Sequence, residues 1–258
     1  MFTAIDVHGY PMVASSPKAK ASGIYHCPKC GNRVVLQPNV CGVPRFSHLG
    51  HQGCFYGEDE TEEYLELKKW LYDYFTINGH MAEAESMRFD FVEPDIIAFV
   101  NGEWIAIEIL RHDTTIDEIR QVNAAYKKQG VAVLWIQPKD YYDKYNMNVE
   151  FGMEETSRYL YELYGDVAYI YSGKNLYAIK VHPARRWDDD KKDKDIENHK
   201  GGYYNYLTDK YLRGACMYVA LLEDLMVCKQ QATKTYPEAI LYNLRFSARK
   251  NMEYLEEE

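Results

Sequence analysis

Asn101-Gly102 separates two β-rich runs, Asp95-Ile-Ile-Ala-Phe-Val100 and Glu103-Trp-Ile-Ala-Ile-Glu-Ile-Leu110, and no other feature restricts the fold as tightly. Asn-Gly between such runs is the strongest short hairpin signal, because a two-residue type I′ turn needs positive φ at both positions. With Val100 opposite Glu103, counting back along both strands sets Asp95 opposite Glu108. Their β-carbons then lie about 5 Å apart on one face, which they share with Ile97, Phe99, Trp104, Ala106 and Leu110. Two carboxylates facing each other on an apolar surface repel, and one holds a proton unless a cation or a donor sits between them. A hard divalent ion resolves the conflict, since Mg²⁺ takes one or two carboxylates, keeps several waters and binds phosphate oxygens.

The elements around this hairpin read as α/β. Upstream, Glu60-Thr-Glu-Glu-Tyr-Leu-Glu-Leu-Lys-Lys-Trp-Leu71 and its continuation place Tyr64, Leu67, Leu71, Tyr74 and Phe75 on one helical stripe. Glu60 and Glu63 fall on or beside that stripe, so a helix packed on the hairpin carries Glu63 toward Asp95 and Glu108, with Lys68 leaning the same way. Downstream, a helix over 114–129 has Thr-x-x-Asp and Thr-x-x-Glu capping options and ends at Gly130. Val131 to Ile136 then reads as a buried strand, parallel to its neighbour because a crossover helix precedes it.

Residues 1–57 carry no helical period and are rich in Gly, Pro, Cys and His. Cys27-Pro-Lys-Cys30-Gly31 has the form of a zinc knuckle, in which two thiolates share one corner of a tetrahedron and glycine lets the chain reverse. The spacing Cys27-x2-Cys30-x17-His48-x5-Cys54 completes a closed Cys3His set, the pattern of a structural zinc with no open position for substrate. Cys41 and His51 are alternatives for the second pair.

The order zinc knuckle, Glu-bearing helix, Pro94-Asp95 strand, Glu108 strand, helix and strand resembles the PD-(D/E)xK nucleases, and more specifically the competence protein CoiA family. The pieces that carry the resemblance are YHCPKCG at 25–31, RFSH at 45–48, Cys54, ETEEYLELKKWL at 60–71, EPD at 93–95, WIAIEI at 104–109, and Arg120, Tyr126, Gly130 and the VLWI run. It covers about residues 24–137. The resemblance implies a restriction-endonuclease-like αβββαβ core. It makes Glu63, Asp95 and Glu108 the Mg²⁺ or Mn²⁺ ligands, and Cys27, Cys30, His48 and Cys54 the zinc ligands. Two positions depart from the family: Tyr64 stands where it usually has His, and Leu110 where PD-(D/E)xK enzymes have Lys and CoiA-like proteins Gln. Lys68, Arg111 and Gln137 are the donors that could orient the attacking water instead, and Arg120 is a further candidate for contact with DNA.

Three blocks follow: a zinc lobe at 1–57, a nuclease core at 58–137, and a mainly helical C-terminal region at 138–258. The last contains a hairpin around Gly173-Lys174-Asn175 and a tail helix bearing Cys216 and Cys228. The expected activity is metal-dependent hydrolysis of DNA during processing of incoming or foreign DNA, with Lys68 joining the three acids as a catalytic residue. The alternative is a zinc-stabilised DNA-binding or adaptor protein that has lost turnover. Thirty Lys and Arg against 39 Asp and Glu leave a net charge of −9, so any DNA contact must be local or cation-mediated. The absence of a signal segment or an 18-residue apolar run predicts a cytoplasmic protein without membrane contact. The C-terminal half offers a surface for a protein partner or a second copy.

Overall fold

The computed structural model describes residues 1–37, 42–50, 53–57, 60–89, 92–145, 152–183, 185–186, 204–205, 212–222, 225–228 and 243–246. Cys41, His51 and the charged run at 188–200 lie outside them. No helix among the described residues is long and apolar enough to cross a membrane.

The N-terminal lobe is a five-stranded antiparallel sheet made of β1 (Thr3–Asp6), β2 (Pro11–Val13), β3 (Tyr25–His26), β4 (Arg33–Gln37) and β5 (Arg45–His48), in the order β2-β1-β3-β4-β5. Its core is small: Phe2, Ala4, Tyr25, Val34 and Phe46 are buried, with the Tyr25 and Phe46 rings 4.8 Å apart. A sheet of this size has little apolar area to offset chain entropy, which is why side-chain links to the rest of the molecule matter here.

The segment that follows runs α1 (Glu62–Ile77), β6 (Met81–Ala84), β7 (Ile96–Val100), β8 (Glu103–Ile109), α2 (Ile116–Lys128) and β9 (Ala132–Ile136), the expected α-β-β-β-α-β order. β7 and β8 pair in the anticipated register, with Val100 opposite Glu103 and Ile96 opposite Ile107. Asn101 and Gly102 have φ of 51° and 87°, as the tight turn requires. β8 and β9 are parallel, with Glu108 beside Trp135. Thr115 caps α2 in a reciprocal box with Glu118, and α2 ends at Lys128, with Gln129 as its C-cap before Gly130 at φ 67°.

The C-terminal region departs from expectation. After α3 (Lys139–Tyr145) and α4 (Glu155–Leu163), its described elements are strands: β10 (Ala168–Tyr171), β11 (Leu176–Pro183), β12 (Arg185–Arg186), β13 (Tyr204–Asn205), β14 (Leu212–Val219), β15 (Leu225–Cys228) and β16 (Asn243–Phe246). β10 and β11 form the anticipated hairpin across Gly173 and continue into β14. Cys216 and Cys228 therefore lie in β14 and β15, not in a tail helix. Short apolar runs do not declare their period, and here pairing with distant partners decides: β14 needs β11, and β16 needs the edge of β9. β15 and β16 extend the main sheet, whose order is β15-β16-β9-β8-β7-β6, so the sheet continues past residue 137 into the C-terminal region.

Many tyrosines are core residues with a polar tip. Tyr164 is buried; its hydroxyl accepts the Trp135 N–H at 2.8 Å and donates to the Val133 carbonyl at 3.3 Å. Removing the α2 cap by Thr115→Ala is expected to cost about 1 kcal/mol, read as a lower urea midpoint with an unchanged slope.

Candidate active site and metal centre

The hairpin delivers Asp95 and Glu108 side by side, both buried at 8% and 9% exposure. Asp95 stands just before β7. Its Oδ2 accepts the Ile109 N–H at 2.9 Å, and its Oδ1 accepts the Tyr64 hydroxyl and faces Lys68 Nζ at 3.3 Å. Glu108 Oε1 accepts the Tyr126 hydroxyl from α2. Burial, and then the charge of Asp95, hold the Glu108 carboxyl well above its ordinary range, against the opposing pull of Tyr126, Lys68 and Arg111. That is the electrostatic signature of a pair short of positive charge.

Lys68 is 1% exposed and its ammonium meets three carboxylates: Glu60, Glu85 at 2.8 Å and Asp95. Glu60 and Glu85 each accept one of its N–H donors, and Asp95 faces it as an ion pair at 3.3 Å. Desolvation works against its charge, but Glu85, Asp95 and Glu60 outweigh it and raise its pKa well above the ordinary lysine value. It is therefore a permanent cation and takes up no proton. Tyr64 lies between two cations, with Lys68 and Arg111 at 4.9 Å and 4.8 Å from its ring centroid.

Glu63 lies at the edge of the apolar stripe of α1. α1 turns Tyr64 and Lys68 inward, and Glu63, one position earlier, is exposed. It lines a cavity of about 320 Å³ with Glu60, Tyr64, Leu110, Arg111 and His112. Glu63, Asp95 and Glu108 do not close into a three-carboxylate group, and the acids that converge on Lys68 beside Asp95 are Glu60 and Glu85. Of the other expected contacts, Arg111 lines the cavity and reaches the Tyr64 hydroxyl at 3.5 Å. Arg120 instead pairs with Asp117 at 3.1 Å and stacks over Tyr159. Gln137 is 1% exposed and its amide oxygen has no hydrogen-bond partner among the described residues. Leu110, fully buried, offers only apolar surface at the position where a donor was expected.

Glu85 carries no signal in the sequence, since an acid after a short strand is ordinary. The same holds for His112, whose Nε2 lies 3.0 Å from Asp140 and whose ring stacks on Tyr141.

In the N-terminal lobe, the ligand atoms of Cys27, Cys30, His48 and Cys54 all lie within 4.8 Å of one another, and Cys30 Sγ is 3.4 Å from His48 Nε2. Among the described residues this is the one group of three or more such side chains that could hold a metal ion such as zinc. Burial pushes the Cys27 thiol up to about 11. At Cys30 a burial cost is outweighed by the Asn32 N–H and by His48, Cys27 and Cys54, which bring it down to about 7. Metal analysis of the purified chain is expected to find about one equivalent of zinc, lost in Cys30→Ser; a metal-free, folded parent would contradict this.

The raised Glu108 carboxyl also predicts a pH dependence. A carboxyl with a higher pKa in the folded state loses its proton first in the unfolded chain, so folding is penalised as pH rises above the unfolded value. Metal-free Glu108→Gln, whose amide still accepts from Tyr126, should be more stable than the parent at pH 8 by about 1 kcal/mol. The gap should close near pH 4, where the parent carboxyl is protonated too. Melting curves at the two pH values check both halves.

Residues 60–180 match the family described as competence protein CoiA, nuclease-like domain. No curated protein and no solved structure matches the chain. The matched segment contains α1, the Asp95 and Glu108 hairpin, Lys68 and the 320 Å³ cavity. The segment 60–180 is thus similar to the CoiA nuclease-like domain family.

Proposed function

We propose that this protein is a Mg²⁺- or Mn²⁺-dependent deoxyribonuclease with a restriction-endonuclease-like core, acting on incoming DNA in competence or on foreign DNA in defence. The observation that carries the reading is the pair of buried carboxylates, Asp95 and Glu108, presented by one hairpin with a permanent cation against the first. The donor set fits a hard divalent ion: two carboxylates supply two oxygens, and their mutual repulsion creates the demand for positive charge. When bound, such an ion supplies an activated water and offsets charge on the phosphodiester.

The chain's own residues do the rest. The Ile109 N–H, the Tyr64 hydroxyl and Lys68 fix the rotamer of Asp95, and Tyr126 fixes that of Glu108. Buried and held by Glu60 and Glu85, Lys68 acts through Asp95 and does not replace the lysine or glutamine missing at Leu110 by touching water. Arg111, exposed on the cavity wall, would meet a phosphate. Glu63, exposed on the same wall, would support the pair only through water. The Cys3His group would hold a structural zinc, closed to substrate.

Capping by tyrosine favours a second reading. Each carboxylate already has one oxygen engaged by a hydroxyl, and Leu110 adds no donor, which suits a zinc-stabilised DNA-binding or adaptor protein without turnover. Incubation with single-stranded, linear, circular and branched DNA in Mg²⁺ and Mn²⁺ separates the two. The parent should cleave at least one form. Asp95→Asn and Glu108→Gln should each lose about 100-fold or more, the scale for removing a charge-stabilising group. Lys68→Met should lose about 10- to 100-fold, as for a residue that orients a ligand. No cleavage of any form, or cleavage that survives both carboxylate changes, would overturn the enzyme reading.

A further inference from the structure

Glu85 follows the last residue of β6 and holds φ at 49°, in the left-handed region that a non-glycine residue seldom adopts. Such a conformation costs about 1–3 kcal/mol and persists where the surroundings over-determine it. Here they do. Its N–H donates to the Asp95 carbonyl at 3.1 Å. Its buried carboxylate accepts the Phe2 N–H at 2.9 Å and the Thr3 N–H at 2.7 Å, and pairs with Lys68 at 2.8 Å. Thr3 Oγ1 adds a bond to the neighbouring Ala84 carbonyl at 2.9 Å. One side chain thus joins the first strand of the N-terminal lobe, the helix cation and the backbone of Asp95.

The lobe reaches the same place by a second route. Lys29, inside the Cys27-x-x-Cys30 loop, pairs with Glu93, which also accepts the Tyr56 hydroxyl; Tyr56 is two residues beyond Cys54, and Glu93 two before Asp95. The first route leads back to the ligands as well, since the Phe46 N–H donates to the Met1 carbonyl at 3.0 Å and His48 ends the same strand, β5. Both attachments that flank Asp95, at Glu85 and at Glu93, therefore depend on the segment organised by the Cys3His group. A carboxylate needed only to balance Lys68 would not require two lobe amides. One needed only to dock β1 would not require a buried ammonium.

We propose that Glu85 is a positioning residue that couples the N-terminal lobe to the acidic centre, so that metal occupancy of the Cys3His group sets the placement of Lys68 and Asp95. The word positioning rests on the nuclease reading; the coupling does not. Binding coupling is reciprocal, so weakening Glu85 must also loosen the metal in the lobe.

The test uses the full chain with its lobe metal in place. Amide exchange is followed at Ile109, whose N–H reports on Asp95, and at Leu134 in the sheet interior, and metal release is followed with a chromogenic chelator. Glu85→Gln should speed Ile109 exchange and metal release by about 10-fold or more with Leu134 unchanged, and stripping the parent should speed Ile109 exchange likewise. In cleavage assays Glu85→Gln should lower kcat by about 10- to 100-fold without raising KM, because Glu85 is buried away from DNA. Unchanged Ile109 exchange and metal release in Glu85→Gln would overturn the proposal, whatever the parent does to DNA. If stripping also exposes Leu134, the whole chain has unfolded and the Glu85→Gln arm decides alone. A parent that cleaves nothing, but whose exchange and release respond as expected, would refute the nuclease reading and leave the coupling standing.

Discussion

Burying one ammonium requires that every charge around it be compensated, and the Lys68 site meets that demand by drawing on three parts of the molecule. Glu60 arrives from the approach to α1, Glu85 from the end of β6 and Asp95 from the entry to β7. Breaking a buried ion pair by removing one partner is far more costly than an exposed pair is worth, because the orphaned charge stays in a poor solvent. Helix, sheet and lobe are therefore held in mutual register by electrostatics as well as by packing. Isosteric apolar residues would pack as well, which makes the retention of so much buried charge a matter of positioning.

That register has a direct effect on the acidic pair. Asp95 is locked by an amide, a hydroxyl and a cation, whereas Glu108, beside it, is held by Tyr126 and has its carboxyl raised by burial and by Asp95. One carboxylate is fixed in place by its partners and the other lacks a counter-charge. Local strain at Glu85 and unrelieved repulsion at Glu108 belong to the same design, in which a functional centre carries costs that the surrounding fold supports.

Asn101-Gly102 made the hairpin and its register readable, because a turn that needs two positive φ values leaves few alternatives. The Cys3His group was equally open to counting, since metal ligands impose spacing. α1 is readable as an amphipathic helix with Tyr64, Leu67, Leu71 and Phe75 inward, but the pattern does not say on which side of the stripe's edge Glu63 falls, and the fold leaves it exposed. Lys68 could be placed only as leaning toward the centre, because a buried lysine has no mark in a sequence without the carboxylates that receive it. Glu85 was invisible for the same reason, since its partners Phe2 and Thr3 are more than eighty residues away. The hairpin across Gly173 is legible, but the tail bearing Cys216 and Cys228 reads as helix because a short apolar run takes its conformation from its pairing partners, and β14 and β16 find theirs in β11 and β9.

The central claim is that Asp95 and Glu108 together form a seat for a hard divalent cation, and a titration of Mn²⁺ into the lobe-metallated chain tests it most directly. Paramagnetic broadening should concentrate at the amides of residues 95 and 108–110, saturate with one ion, and be lost in Glu108→Gln. Broadening confined to exposed acids, or equally strong in Glu108→Gln, would contradict the claim.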